Sequence, residues 1–244
     1  MDSLDSKRIV DTVQVLCNRI KERFPTNNLT NTSEELLTIA KESESRCQWI
    51  KKPQWLLRVI IGAVIVLILL LLLTIIGSVV SFSSIHGIEL VDFLQVLDAG
   101  MNSVILIGAA LLFVITVEIR RKRKRAIQAI HQLRILSHII DMQQLTKDPE
   151  RILRHDQWTA SSPREVMTVF ELTRYLSYCS EMLSLVGKVA ALYAQDFEDT
   201  VVLDAVNDIE TLTTELAQKI WQKIIILHRF KDQKNQSALT TTKD

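Results

Sequence analysis

Two long apolar runs constrain this chain more than anything else in it. Residues 59–85 (VIIGAVIVLILLLLLTIIGSVVSFSSI) carry no charged side chain, and about 20 apolar residues are enough to cross the hydrocarbon core of a bilayer as a helix. Residues 99–117 (AGMNSVILIGAALLFVITV) form a second run between Asp98 and Glu118, the length of a span with little tilt. The alternative, a buried hairpin in a large soluble core, gives such runs no solvent face. The sequence therefore predicts an all-α membrane protein, a two-span hairpin with a helical bundle outside the membrane.

Charge sets the orientation. Lys51, Lys52 and Arg58 precede the first run, and Arg120, Arg121, Lys122, Arg123, Lys124 and Arg125 follow the second, whereas residues 81–98 contain no Lys or Arg. Basic residues stay on the cytoplasmic side, so both termini are expected in the cytoplasm of a multi-pass plasma (inner) membrane protein. The connection carries Glu89, Asp92 and Asp98, a small acidic cap with no room for an outer domain. The basic run is read first as a topology signal and lipid-headgroup clamp, each cation near anionic lipid gaining about 1 kcal/mol. An anionic ligand such as a nucleotide is the other reading; nucleic acid is not the expected partner.

The net charge is +1, and the three cysteines, Cys17, Cys47 and Cys179, are widely spaced. Neither a disulfide framework nor a zinc motif follows from that spacing. They read as small core residues, and no metal or cofactor is expected. The sequons at Asn28, Asn31 and Asn235 are chance matches on the cytoplasmic side. No cleavable leader is expected, since the first apolar run begins beyond residue 50, and that run must act as an internal signal-anchor.

The remaining chain is helical in pattern. In segment 1–53, Ile9, Val10, Val13, Leu16, Cys17, Ile20 and Phe24 recur at three- and four-residue steps between Asp5 or Ser6 as cap and Pro25 as stop. A polar loop is expected over 27–32, then a second helix opened by Thr32-Ser-Glu-Glu35. Trp49 and Trp55 bracket Pro53 as interfacial anchors. Segment 54–117 is the hairpin. Segment 118–148 is a basic stalk whose stripe Ile127, Ile130, Leu133, Leu136, Ile139, Ile140 and Leu145 continues the second span, so one helix from 99 to 145 is expected and its stripe needs a partner. Segment 149–231 is a helical pair: Ser162-Pro163-Arg164-Glu165 caps a helix with Leu172, Leu176, Cys179, Leu183, Val186, Ala190 and Tyr193 at a/d spacing. Gln195 to Asp199 turns the chain into a last helix with Ala205, Ile209, Leu212, Leu216, Ile220, Ile224 and Leu227 inward. Residues 232–244 are a polar tail. The a/d stripes also suggest a homo-oligomer.

Signatures of catalysis are absent: no phosphate-cradling glycine loop, nucleophile elbow or His-Glu-x-x-His occurs. Arg125-AIQAI-His131 resembles the Arg-x(4–6)-His element of HEPN ribonucleases, but a six-residue step sets the two side chains about 120° apart on a helix. His138, Asp141 and His155 could imitate a metal site; helix capping explains them equally. Within the spans, Gly77, Ser81 and Ser84 share a face, as do Ala99 and Ser103, and such small faces let helices approach. Asn102 is costly toward lipid and needs a helix or water. In a symmetric oligomer Asp98, Asn102, Ser103, Leu106, Phe113 and Thr116 are the candidate pore-lining residues, with Glu89, Asp92 and Asp98 as an acidic outer mouth that attracts cations.

The order of these elements, two amphipathic helices, a two-span hairpin, a long helix and a terminal helical pair, resembles SLATT-type two-transmembrane effectors of bacterial anti-phage systems. That resemblance lies in architecture and implies an oligomeric pore-forming or membrane-disrupting effector, gated through its helical domain by a cytoplasmic protein or nucleotide. Without it, the same residues describe a non-conducting membrane scaffold presenting a helical interaction domain; a membrane-tethered ribonuclease is the third alternative.

Overall fold

The structure, a computed structural model, describes residues 4–51, 59, 61–70, 73, 74, 77, 90–149, 167–195, 197 and 199–241. These form helices and, among the described residues, no strand: α1 (Ser6–Arg23), α2 (Asn28–Lys51), α3 (Ile61–Leu70), α4 (Leu90–Leu145), α5 (Val169–Gln195) and α6 (Thr200–Thr241). Much of the first apolar run, with Trp55, Glu89, His155 and the cap expected at 162–165, lies outside the described residues. The chain divides into two units, Met1–Lys51 with Arg123–Asp244, and Lys52–Lys122.

The first unit is a helical bundle. Asp5 opens α1 by accepting from the backbone N–H of Lys7 at 3.0 Å, and Phe24 leaves the helical region just before Pro25. All seven apolar positions expected to face inward on α1 and at its end are buried. The hairpin to α2 is tighter than expected. Asn27, not Thr32, is the cap, accepting from the Leu29 N–H at 3.1 Å, so residues 28–32 are already helix. The Thr32 hydroxyl bonds the Asn28 carbonyl and accepts from Gln143 Nε2 at 2.7 Å. Two capping motifs lie close together in the sequence, and the one whose helix buries Leu29 beneath α1 prevails.

The described part of α5 begins at Val169. Thr168 and Glu171 form a reciprocal capping box, with Glu171 Oε2 accepting from the Thr168 N–H at 2.8 Å and Thr168 Oγ1 from the Glu171 N–H at 3.2 Å. The Thr168 N–H, together with its hydroxyl, which donates to the same Oε2 at 2.9 Å, holds the Glu171 carboxyl below its usual range. The whole expected stripe from Leu172 to Tyr193 is buried.

Cross-helix bonds fix the directions. On α4, Arg134 pairs with Asp208 of α6 at 3.1 Å, and Gln144 accepts from Lys223 Nζ at 2.6 Å, so α6 runs parallel to α4. Arg46 with Gln132 and Thr32 with Gln143 run α2 antiparallel to it. The stalk stripe therefore finds its partner inside its own chain: Ile130, Leu133, Leu136 and Ile140 are core residues beside Leu176, Leu183, Ile209 and Ile220. Of the same expected stripe, Ile127 and Ile139 are half-buried and Leu145 is exposed. Cys17, Cys47 and Cys179 are buried and joined in no disulfide among the described residues, and burial pushes the Cys179 thiol up to about 12. The last helix does not stop near residue 231; α6 continues through the polar segment to Thr241.

Gly187 marks a close approach of α5 to α6, where an added Cβ would stand 3.3 Å from Thr213 Oγ1 and 4.0 Å from Glu210 Cγ. A leucine there has no room, and Gly187→Leu is expected to cost about 1–3 kcal/mol of bundle stability, read as a lower urea midpoint.

The second unit holds α3 and the first part of α4. Of the described residues, α4 is the helix long and apolar enough to cross a membrane; α3 is apolar but shorter. Among the described residues, a Cβ added at Gly62, Gly77 or Gly108 would meet nothing within 4 Å.

Candidate functional site: the polar strip of the long helix

With α4 unbroken from Leu90 to Leu145, a rotation of about 100° per residue decides which candidates share a face. Asp98, Asn102, Leu106, Phe113 and Thr116 fall within a sector of about 80°. All five are exposed, Leu106 by 71% and Phe113 by 70%. Ser103 does not join them. It lies on the opposite side with Gly100, Ile107, Leu111 and Ile115, which are half-buried. Asp92 sits in the first turn of α4, and Glu89 precedes the described part of that helix.

The polar side chains of the strip are partnered within the helix. Asn102 Nδ2 donates to Asp98 Oδ2 at 3.4 Å, Thr116 Oγ1 donates to the Leu112 carbonyl at 2.7 Å, and across the helix Ser103 Oγ donates to the Ala99 carbonyl at 2.8 Å. Returning a hydroxyl to the carbonyl four residues back removes a donor that would otherwise be costly in hydrocarbon. Asn102 keeps one amide hydrogen and its carbonyl for another partner. Arg120 extends the same sector, so the strip has a carboxylate at one end and a guanidinium at the other. Asp98 and Arg120 are about 33 Å apart along the axis, close to the thickness of a hydrocarbon core of about 30 Å.

The basic run that follows divides by use. Lys122 pairs with Glu118 at 2.9 Å, both side chains mostly covered. Arg123 grips Asp199 with two nitrogens: Nε stands 2.9 Å and Nη2 2.8 Å from Oδ2. Arg125 lies 4.1 Å over the ring of Trp49. Arg120, Arg121 and Lys124 remain exposed. Trp49, expected as an interfacial anchor, is instead packed against the bundle core.

Asp199 was not a sequence candidate. Its side chain is 5% exposed, and besides Arg123 it accepts from the N–H groups of Val201 and Val202 at the start of α6. Burial pushes its carboxyl up, but the Arg123 and backbone bonds outweigh this and hold it below the usual range. Arg123 and Asp199 are 76 positions apart, beyond the reach of any spacing rule.

Of the enzyme and metal candidates, His155 lies outside the described residues. Arg125 is engaged with Trp49, and His131 is exposed on α4. His138 is exposed, while Asp141 accepts from Gln144 Nε2 at 2.7 Å. No protein-family model, no curated protein and no solved structure matches this chain.

Proposed function

We propose that this chain is a two-span membrane protein with both termini in the cytoplasm. Copies of it associate into a pore-forming or membrane-disrupting assembly under control of the helical bundle, as its likeness in element order to SLATT-type effectors implies. The observation that carries this reading is the strip itself, a face of one uninterrupted helix with Asp98 and Asn102 at one end and the wholly apolar positions Leu106 and Phe113 beyond them. In a symmetric assembly one Asp98 per subunit makes an acidic ring that concentrates cations. The apolar positions below it close the path by excluding water.

Topology is tested first. A thiol-reactive label at Ser83→Cys should be reached from outside intact cells and one at Ser237→Cys should not; the reverse pattern overturns the orientation. Purified protein in planar bilayers should then pass current whose cation preference falls with Asp98→Asn and whose magnitude falls with Asn102→Leu. If no condition that activates the protein in cells gives current, the pore reading fails.

A second reading, a membrane scaffold that presents the bundle to a cytoplasmic partner, is favoured by one observation. Asn102, Ser103 and Thr116 all bond within their own helix, so they do not require a water-filled path.

A further inference from the structure

The bundle uses one side of α4. Ala126, Ala129, Leu133, Leu136 and Ile140 are buried there. On the opposite side Gln128, His131, Ile135, His138, Met142 and Leu145 recur in alternating steps of three and four, and all are exposed. Three large apolar side chains among them are left to water, Ile135 at 46%, Met142 at 61% and Leu145 at 63% exposure. Alternating steps of three and four are the pattern of a seam between two supercoiled helices. This seam is distinct from the inward stripe, which the chain fills for itself.

We propose that this outward seam is where α4 of a second copy of the chain packs, parallel and in register. The proposal rests on the membrane reading above, and two features select that occupant. First, α4 continues without a break into the apolar segment. Two copies held in one bilayer would present the same seam at the same depth and in the same direction, which is what a two-fold symmetric parallel pair needs. Second, the flanking positions raise no charge conflict. In a parallel pair, Ile127, Arg134 and Asp141 on one flank meet Gln132, Ile139 and Thr146 on the other helix, so no like charges are opposed. Arg134 and Asp141 already bond Asp208 and Gln144 of their own chain. His131 and His138, equivalent seam positions seven residues apart, would each meet their own counterpart. Polar side chains at such positions set the register at some cost in strength, which suits a pair held in one membrane.

The test uses the full-length protein in native membranes. The natural cysteines are buried, so thiols introduced by Ile135→Cys and Met142→Cys report on the seam, and Val15→Cys, exposed on α1, is the control. Mild oxidation should join two copies through residue 135 and through residue 142 and leave the control unjoined. Adding Met142→Glu to the Ile135→Cys protein should abolish that cross-link and lower the particle mass in nanodiscs by at least one protomer, while the thermal midpoint stays within a few degrees because Met142 is a surface residue. Protein retained in the membrane but not cross-linked at either position, or cross-linked equally through residue 15, overturns the seam. A thiol at 142 that is protected in monomeric protein also overturns it, since the seam would then be covered from within one chain. Protein that alkaline carbonate strips from the membrane yet that still cross-links at both positions would keep the seam and sink the membrane reading instead.

Discussion

Leu176→Asp is expected to abolish the bundle. The wild-type side chain is fully buried in the core that also holds Ile20, Leu136 and Leu183. An aspartate there must either hold a charge in an apolar surround or bind a proton and leave two polar oxygens without partners. Removing the leucine contacts alone costs about 2–5 kcal/mol, and the unpaired carboxyl adds several more, which together exhaust a typical domain stability of about 5–15 kcal/mol. The protein should lose the part of its helical circular dichroism due to the bundle and become protease-sensitive over residues 4–51 and 123–241. Retention of a cooperative thermal transition would show that this position is not core. Leu183→Asp should behave alike.

The second large effect is asymmetric. Arg123→Met removes the guanidinium from a carboxylate that is 5% exposed and leaves it only the Val201 and Val202 N–H groups; breaking such a pair from this side costs about 3–5 kcal/mol. Asp199→Asn should cost much less. Asparagine caps a helix as well as aspartate does, and Arg123, 41% exposed, can turn to water. The pH dependence has a definite sign. The folded carboxyl of Asp199 lies below its unfolded value, so the pair's contribution is complete above an unfolded pKa of about 4 and disappears as pH falls through the lower folded value. In Arg123→Met the arginine's share of that depression is gone, and only the Val201 and Val202 N–H groups remain to oppose the effect of burial. Protonation then costs the variant less than it costs the wild type, and the gap in urea midpoint should narrow between pH 7 and pH 3. A gap independent of pH would mean that the lost energy is packing of the arginine stem.

What could be read from the sequence divides along physical lines. The inward positions of α1 and α5 were fully legible, because a helix with one buried face writes its period into the sequence. So was the continuity of α4, since no Gly or Pro interrupts 118–147. Helix starts were less legible. Thr32 begins a plausible capping motif, yet Asn27 caps α2, and Thr168 caps the described α5. Local motifs only propose a start, and the first side chain with a core to enter, Leu29 or Leu172, decides it. The stalk shows the same limit: its apolar stripe is plain, but whether it seeks its own chain or another depends on helices far away in sequence. For the candidate site, five of six strip residues share a face because α4 is regular, and Ser103 falls away by the same geometry. The fate of Arg123 and Arg125 depended on Asp199 and Trp49, which only the packed bundle brings near.

The parallel run of α6 along α4 has a mechanical consequence. Arg123 with Asp199, Arg134 with Asp208, and Gln144 with Lys223 tie the two helices at three points, spread over about 32 Å of α4. To slide one helix past the other by a single turn, about 5.4 Å, all three ties must break together. The pair thus behaves as a splined shaft that resists axial slip, and a displacement of α4 within the bundle has to be expressed as twisting or bending of both helices at once.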